Sequence, residues 1–116
     1  RDTPSKVAAL TKINRYHASL FAHFVDRMKA VKEGDGTLLD HSMIVYGGAI
    51  GDGNRHTHNN LPVVVAGNGN GAIRTGRHVR YPTNTSMANL FLSMLEIFGV
   101  PTERLGDSTG SLKRLS

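Results

Sequence analysis

The sequence predicts an α/β fold, because two amphipathic helical stretches flank two short apolar runs that each end in glycine. The runs are "SMIVYGG", residues 42–48, and "LPVVVAG", residues 61–67. Their β-branched, nearly continuous apolar character is typical of strands buried on both faces of an α/β sheet. The predicted order is helix, strand, loop, strand, ribbon, helix.

The first helix begins at a clear start signal. Thr3 stands where an N-cap is expected and Pro4 at the first helical position. Apolar residues then recur at alternating three- and four-residue steps, which indicates one buried face. These positions are Leu10, Ile13, His17, Leu20 or Phe21, Phe24, Met28 and Val31. We expect the helix to end near Lys32, where "EGDGT" interrupts it with glycine, and His17 to be a core histidine bonded to the backbone.

The remaining elements follow the second apolar run. The glycine-rich stretch "NGNGAIRTGRHVRYP", residues 68–82, predicts a connecting ribbon with a short strand around His78–Tyr81. A second helix is predicted to start at Thr85 and to end at Gly99, before Pro101. Its expected core face is Met87, Leu90, Phe91, Met94, Leu95 and Phe98. The chain then closes with a polar tail, residues 102–116, whose expected anchors are Leu105, Leu112 and Leu115.

Composition limits the classes of protein to consider. The 116 residues are 39% apolar and 20% charged, as in a globular domain rather than a disordered chain. The apolar runs are too short to cross a bilayer, and the absence of cysteine excludes disulfides and thiolate metal sites. The net charge of +5 allows attraction to phosphate or sulfate. The basic residues are scattered without interleaved aromatics, so we expect no nucleic-acid partner.

The element count also predicts how the chain is organised. Two strands do not make a stable sheet alone. We therefore expect residues 1–116 to be a single segment, the C-terminal part of a larger α/β domain, with the remainder of that protein as its partner. The element count fits equally a chain that pairs with another chain.

The loop between the two strands concentrates metal-ligand side chains. It reads "GDGNRHTHNN", residues 51–60, and contains Asp52, His56 and His58. A carboxylate and two imidazoles suit zinc, manganese or iron, and three protein ligands leave positions open for catalysis. In an extended segment the side chains at 56 and 58 point the same way, so both could reach one ion, or one could orient the other. A polar turn with hydrogen-bonded histidines accounts for the same residues, and both interpretations stay open.

No nucleophile is evident beside this loop. The chain has no cysteine, and none of its serines lies in a G-x-S-x-G context. The catalytic group is therefore unknown from these residues: it would be water, or a group in another part of the protein.

Two motifs carry a resemblance to known families. The stretches "LLDHSMIVYGG" and "GDGNRHTHNNLPVVVAG" resemble the C-terminal part of the bacterial HXXSHH-motif family, a domain of unknown function in predicted exported proteins. A more distant resemblance is to the alkaline phosphatase and sulfatase superfamily. "HTHNNLPVVVAG" places His56 six residues before Pro62, which is the spacing of a metal ligand in phosphopentomutase-like members. The stretch "SMANLFLSMLEIFGVP" followed by "GDSTGSL" resembles the closing helix of that superfamily.

The resemblance implies an alkaline-phosphatase-like three-layer sandwich, of which this chain is the C-terminal portion. It implies an exported, metal-dependent hydrolase of phosphate or sulfate esters. In that function His56 would ligate a divalent metal, Asp52 and His58 would ligate or orient, and Asn54 or Arg55 would contact the anionic substrate.

One departure from the superfamily favours an alternative. The superfamily carries an Asp-His metal pair just after the strand that precedes this loop, whereas this chain has "YGGAIGDGN" there, with Asp52 as the only candidate replacement. The alternative is a non-catalytic extracytoplasmic binding or structural protein that retains the fold.

Overall fold

Two α-helices and two small antiparallel sheets make up the computed structural model, which describes residues 3–116. The presence of both helices and sheets confirms that the fold is mixed α and β. The chain divides into two compact units, one ending at Leu38 and the other spanning Leu39–Ser116. The prediction that residues 1–116 belong to a larger domain stays a prediction.

The first unit is a long helix followed by a hairpin. Helix α1 spans Pro4–Ala30, with Thr3 at the N-cap and proline in the first turn, as predicted. Arg27 and Lys29 lie in its last turn, where positive charge interacts favourably with the helix dipole. Strands β1 (Lys32–Glu33) and β2 (Gly36–Thr37) then pair antiparallel. The sequence predicted only a helix stop here, because a two-residue strand has no detectable period.

The apolar stripe of α1 is not buried. No described residue of this helix is buried, and Leu10 and Phe24 are 56% and 48% exposed. Phe21, Val25 and Met28 are half-buried. The three- and four-residue spacing therefore predicted the helix correctly but not the burial of its apolar face.

The second unit contains the sheet predicted from the two glycine-closed runs. Strand β3 (Ile44–Gly47) pairs antiparallel with β4 (Val63–Ala66), with Ile44 opposite Ala66 and Gly47 opposite Val63. Both strands were expected to be buried on both faces, and this is wrong: none of their residues is buried and Val64 is exposed. A two-stranded sheet lacks the neighbouring strands and the two helical layers that would cover it.

Helix α2 spans Met87–Ile97 and starts two residues after Thr85, the predicted start. Ser86 is the N-cap, and its side chain accepts a hydrogen bond from the Ala88 N–H at 3.1 Å. The Thr85 hydroxyl instead donates to the Pro82 carbonyl at 2.7 Å. At the other end Gly99 has a φ of +85°, the left-handed C′ conformation predicted for that glycine.

The buried face of α2 is partly polar. Its buried residues are Asn89, Leu90, Leu92 and Ser93. The amide of Asn89 donates to the Thr109 hydroxyl at 3.0 Å and accepts from the Thr109 N–H at 2.8 Å. Ser93 accepts from the Leu112 N–H at 2.7 Å. The tail thus packs on this polar pair, and Phe98, expected in the core, is 77% exposed.

Hydrogen bonds from separate residues of the ribbon between β4 and α2 hold the tail. The Arg74 N–H donates to the Leu115 carbonyl at 2.8 Å, and the Tyr81 hydroxyl to the Lys113 carbonyl at 2.8 Å. The structure assigns no strand at residues 78–81, so that prediction is wrong: isolated bonds to the tail replace a strand ladder. Neither helix of the described chain has the length and apolarity needed to cross a membrane.

Candidate functional site

The candidate site is the loop that joins β3 to β4, and it folds back on itself. An isolated antiparallel bridge pairs Asp52 with Thr57. The Gly51 N–H donates to the Thr57 carbonyl at 2.8 Å, and the His56 N–H to the Asp52 carbonyl at 2.7 Å. The Asp52 N–H also donates to the Thr57 hydroxyl at 3.2 Å. These bonds hold all five predicted site residues in one exposed loop.

Glycine is required where the two sides of this loop approach. A Cβ atom at Gly51 would lie 2.9 Å from the Asn59 carbonyl oxygen, closer than a side chain tolerates. Because Gly51 has no side chain, its backbone can lie directly against the backbone of Asn59. The sequence signal for this close approach was the glycine itself.

Asp52 organises the turn through its carboxylate. Its Oδ1 accepts hydrogen bonds from the backbone N–H groups of Asn54 at 2.8 Å and Arg55 at 3.2 Å. Its Oδ2 lies 3.9 Å from Nε of Arg55. Exposed ion pairs of this kind contribute about 0–1 kcal/mol. The aspartate thus holds the turn with one oxygen and pairs weakly with Arg55 through the other.

His58 has its ring fixed by a backbone carbonyl. Its Nδ1 lies 2.7 Å from the Ala49 carbonyl oxygen, and the residue is exposed. A carbonyl oxygen only accepts, so Nδ1 carries the proton. In the neutral ring, Nε2 then presents its lone pair, which is the arrangement that metal-binding histidines use when a second group orients them.

His56 lies at the tip of the loop in an unusual backbone conformation. Its φ is +53°, in the left-handed region that costs a residue other than glycine about 1–2 kcal/mol. Residues 56–58 are consequently not an extended run. The extended segment, in which His56 and His58 would point the same way, is therefore not present at His56.

The described residues do not bring the predicted ligands into one metal-binding group. Within residues 3–116, no three His, Asp or Glu side chains lie close enough together to hold an ion. Asp52 meets Arg55, and His58 meets the carbonyl of Ala49. Asn54 and Arg55 lie in the same turn, exposed at the surface.

Sequence reasoning missed two parts of this site, Thr57 and the Ala49 carbonyl. Thr57 closes the loop, and Ala49 orients a histidine nine residues away. A backbone carbonyl has no sequence signature, so no signal could have identified the second. The prediction for His17 is wrong: it is exposed on α1, with its ring 6.0 Å from that of Tyr16.

Comparisons with known proteins add no relative to this description. No family model matches the chain, and neither a curated protein nor a solved structure matches it. The functional argument therefore depends on the geometry of residues 49–60 and on the resemblance described above.

Proposed function

We propose that residues 49–60 are a metal-ligand loop of an exported, metal-dependent hydrolase of the alkaline phosphatase and sulfatase type. The observation that carries this proposal is the 2.7 Å contact between Nδ1 of His58 and the Ala49 carbonyl. It leaves Nε2 as the free donor atom on an exposed, oriented ring. The same contact fits a polar turn with hydrogen-bonded histidines, so retained metal is the property that separates the two interpretations.

The donor types of the loop fit a divalent metal. His58 supplies an oriented imidazole, His56 a second imidazole held at the tip, and Asp52 the Oδ2 oxygen. Imidazole with carboxylate suits zinc, manganese or iron. Such an ion, when bound, would activate water or stabilise charge that develops on an oxyanion. Further ligands and the nucleophile would come from the remainder of the proposed parent protein, in an alkaline-phosphatase-like three-layer sandwich.

The substrate proposed for this loop is an anionic ester. Arg55 and Asn54 are exposed in the turn that Asp52 holds. Among residues 3–116, the guanidinium of Arg55 contacts only Oδ2 of Asp52, at 3.9 Å. A guanidinium held so weakly is available to a phosphate or sulfate group, which it recognises through two parallel hydrogen bonds. The ester chemistry itself rests on the family resemblance.

A second candidate function is a non-catalytic binding or structural protein. The observation that favours it lies after β3, where the chain reads "YGGAIGDGN" and carries no Asp-His pair. The absence of a three-ligand group within residues 3–116 supports the same candidate. The two candidates differ in one measurable property, which is retained metal.

Metal content separates them. The full-length protein is dialysed against a weak chelator and analysed for zinc, manganese and iron, beside His58→Ala, His56→Ala and Asp52→Asn. The last variant keeps an oxygen for the backbone N–H groups and replaces the other carboxylate oxygen with an uncharged NH2 group that cannot ligate a metal. The matched control is His78→Ala, an exposed histidine of the ribbon.

We expect stoichiometric metal in the wild type and in His78→Ala. His58→Ala should bind metal more than about 10-fold more weakly, since loss of an orienting partner alone costs 10- to 100-fold. Hydrolysis of phosphate and sulfate esters should fall with the metal. A metal-free wild type, or equal loss in His78→Ala, would leave the non-catalytic candidate.

A further inference from the structure

The tertiary structure assembles a basic surface that is scattered in the sequence. We define it by Arg74 and Arg80 of the ribbon and by Lys113 and Arg114 of the tail. The Arg74 N–H bonds to Leu115, and the hydroxyl of Tyr81, next to Arg80, bonds to Lys113. Residues more than 30 positions apart in sequence are thereby neighbours.

Arg77 holds these two segments together. Its Nη2 donates to the carbonyls of Arg114 at 2.5 Å and Leu115 at 2.6 Å, and its Nε donates to the Arg74 carbonyl at 2.9 Å. The guanidinium is thus used as a structural clamp. The four residues of the basic surface keep their own charged groups at the surface, where all four are exposed.

No side-chain carboxylate of the described residues pairs with the charges of this surface. The sequence has no Asp or Glu between Gly53 and Leu95, and none after Asp107. Within residues 3–116, no ion pair or side-chain hydrogen bond involves the charged groups of Arg74, Arg80, Lys113 or Arg114. The hydrogen bonds above hold together the two segments that carry these four charges, and like charges on neighbouring segments repel one another. An anionic partner that covered both segments would therefore stabilise the arrangement.

We propose that the basic surface binds the phosphate headgroups of an anionic membrane. Long, exposed side chains on irregular backbone suit a fluid array of headgroups that can rearrange around each charge. Each Lys or Arg near such a membrane contributes about 1 kcal/mol, which is about 5-fold in partition. Single-stranded nucleic acid fits less well, because the only aromatic residue in these segments, Tyr81, is half-buried and its hydroxyl is bound to the tail.

The test is co-sedimentation of the full-length protein with vesicles. Vesicles of phosphatidylcholine with phosphatidylserine are compared with vesicles of phosphatidylcholine alone and with duplex DNA. The variant is Arg74→Gln with Arg80→Gln. The matched control is Lys12→Gln with Arg15→Gln, which removes the same charge from exposed positions of α1. Circular dichroism verifies that both remain folded.

We expect binding only to the vesicles that contain phosphatidylserine, and release by salt. The ribbon variant should partition about 25-fold more weakly, from two charges at about 5-fold each, and the α1 control should change less than about 2-fold. Equal losses in the two variants would show a net-charge effect and overturn the assignment. Binding to DNA but not to vesicles would also overturn it. This inference is independent of the metal-loop proposal.

Discussion

Two glycines with nearly the same backbone angle show how a single residue constrains this chain. Gly67 and Gly71 have φ values of +84° and +87°. A Cβ at Gly67 would lie 2.2 Å from the Ser42 carbonyl oxygen, whereas a Cβ at Gly71 would meet nothing within 4 Å. The first glycine is thus required by both conformation and space, and the second by conformation alone.

This difference predicts unequal effects of the same substitution. Gly67→Ala should lower the free energy of unfolding by about 3 kcal/mol, from the left-handed penalty and the clash together. Gly71→Ala should lower it by about 1 kcal/mol, from the penalty alone. Urea denaturation of both variants measures the difference. Equal losses would mean that the turn after β4 shifts to accept a methyl group.

At the scale of elements, α2 presents two different faces. One face packs on the tail through Asn89 and Ser93. The other lines an open apolar groove with a volume of about 440 Å³, formed by Met43, Phe91, Met94, Leu95, Phe98 and Leu105. Most of the residues that the sequence assigned to the core of this helix therefore lie in the groove.

The two faces predict opposite responses to truncation. Leu92 is 2% exposed, so Leu92→Ala should lower the free energy of unfolding by about 2–4 kcal/mol. Phe98 is 77% exposed, and Phe98→Ala should change it by less than about 1 kcal/mol. Thermal or urea unfolding compares the two. If Phe98→Ala lowered the free energy of unfolding more than Leu92→Ala, the buried face of α2 would be the one that includes Phe98, as the sequence predicted.

For the whole molecule, the notable property is apolar surface that the described residues leave exposed. The stripe on α1 includes Leu10, Ile13, Leu20 and Phe24, each about half exposed. Contiguous apolar surface of this kind marks an interaction site or an aggregation hazard. That this chain packs against further protein stays a prediction.

Exposure of this stripe is measurable with a hydrophobic dye. Leu10→Gln with Phe24→Gln should reduce anilinonaphthalene sulfonate fluorescence about two-fold, because the dye binds exposed apolar surface. Lys12→Gln with Lys29→Gln alters other positions of α1 and is the control. Unchanged fluorescence in the apolar variant would show that this stripe is not the exposed surface.

Local signals in the sequence were sufficient for some of these features. Pro4 and the three- and four-residue spacing predicted α1, the glycine-closed runs predicted β3 and β4, and Gly99 predicted the end of α2. Helix periodicity and terminal residues act within a few positions, so sequence reports them directly. The grouping of Asp52, His56 and His58 in one loop was equally determined, because they lie within seven residues.

Other features were decided only by tertiary structure, because they depend on residues distant in sequence or on backbone atoms. Three features depend on residues distant in sequence: the antiparallel pairing of β3 with β4, the exposure of α1 and the polar buried face of α2. So does the basic surface, which exists because Arg77 joins the ribbon to the tail. The orientation of His58 depends on a backbone atom, the Ala49 carbonyl oxygen. Every residue has such a carbonyl, so the sequence does not reveal which one a side chain will contact.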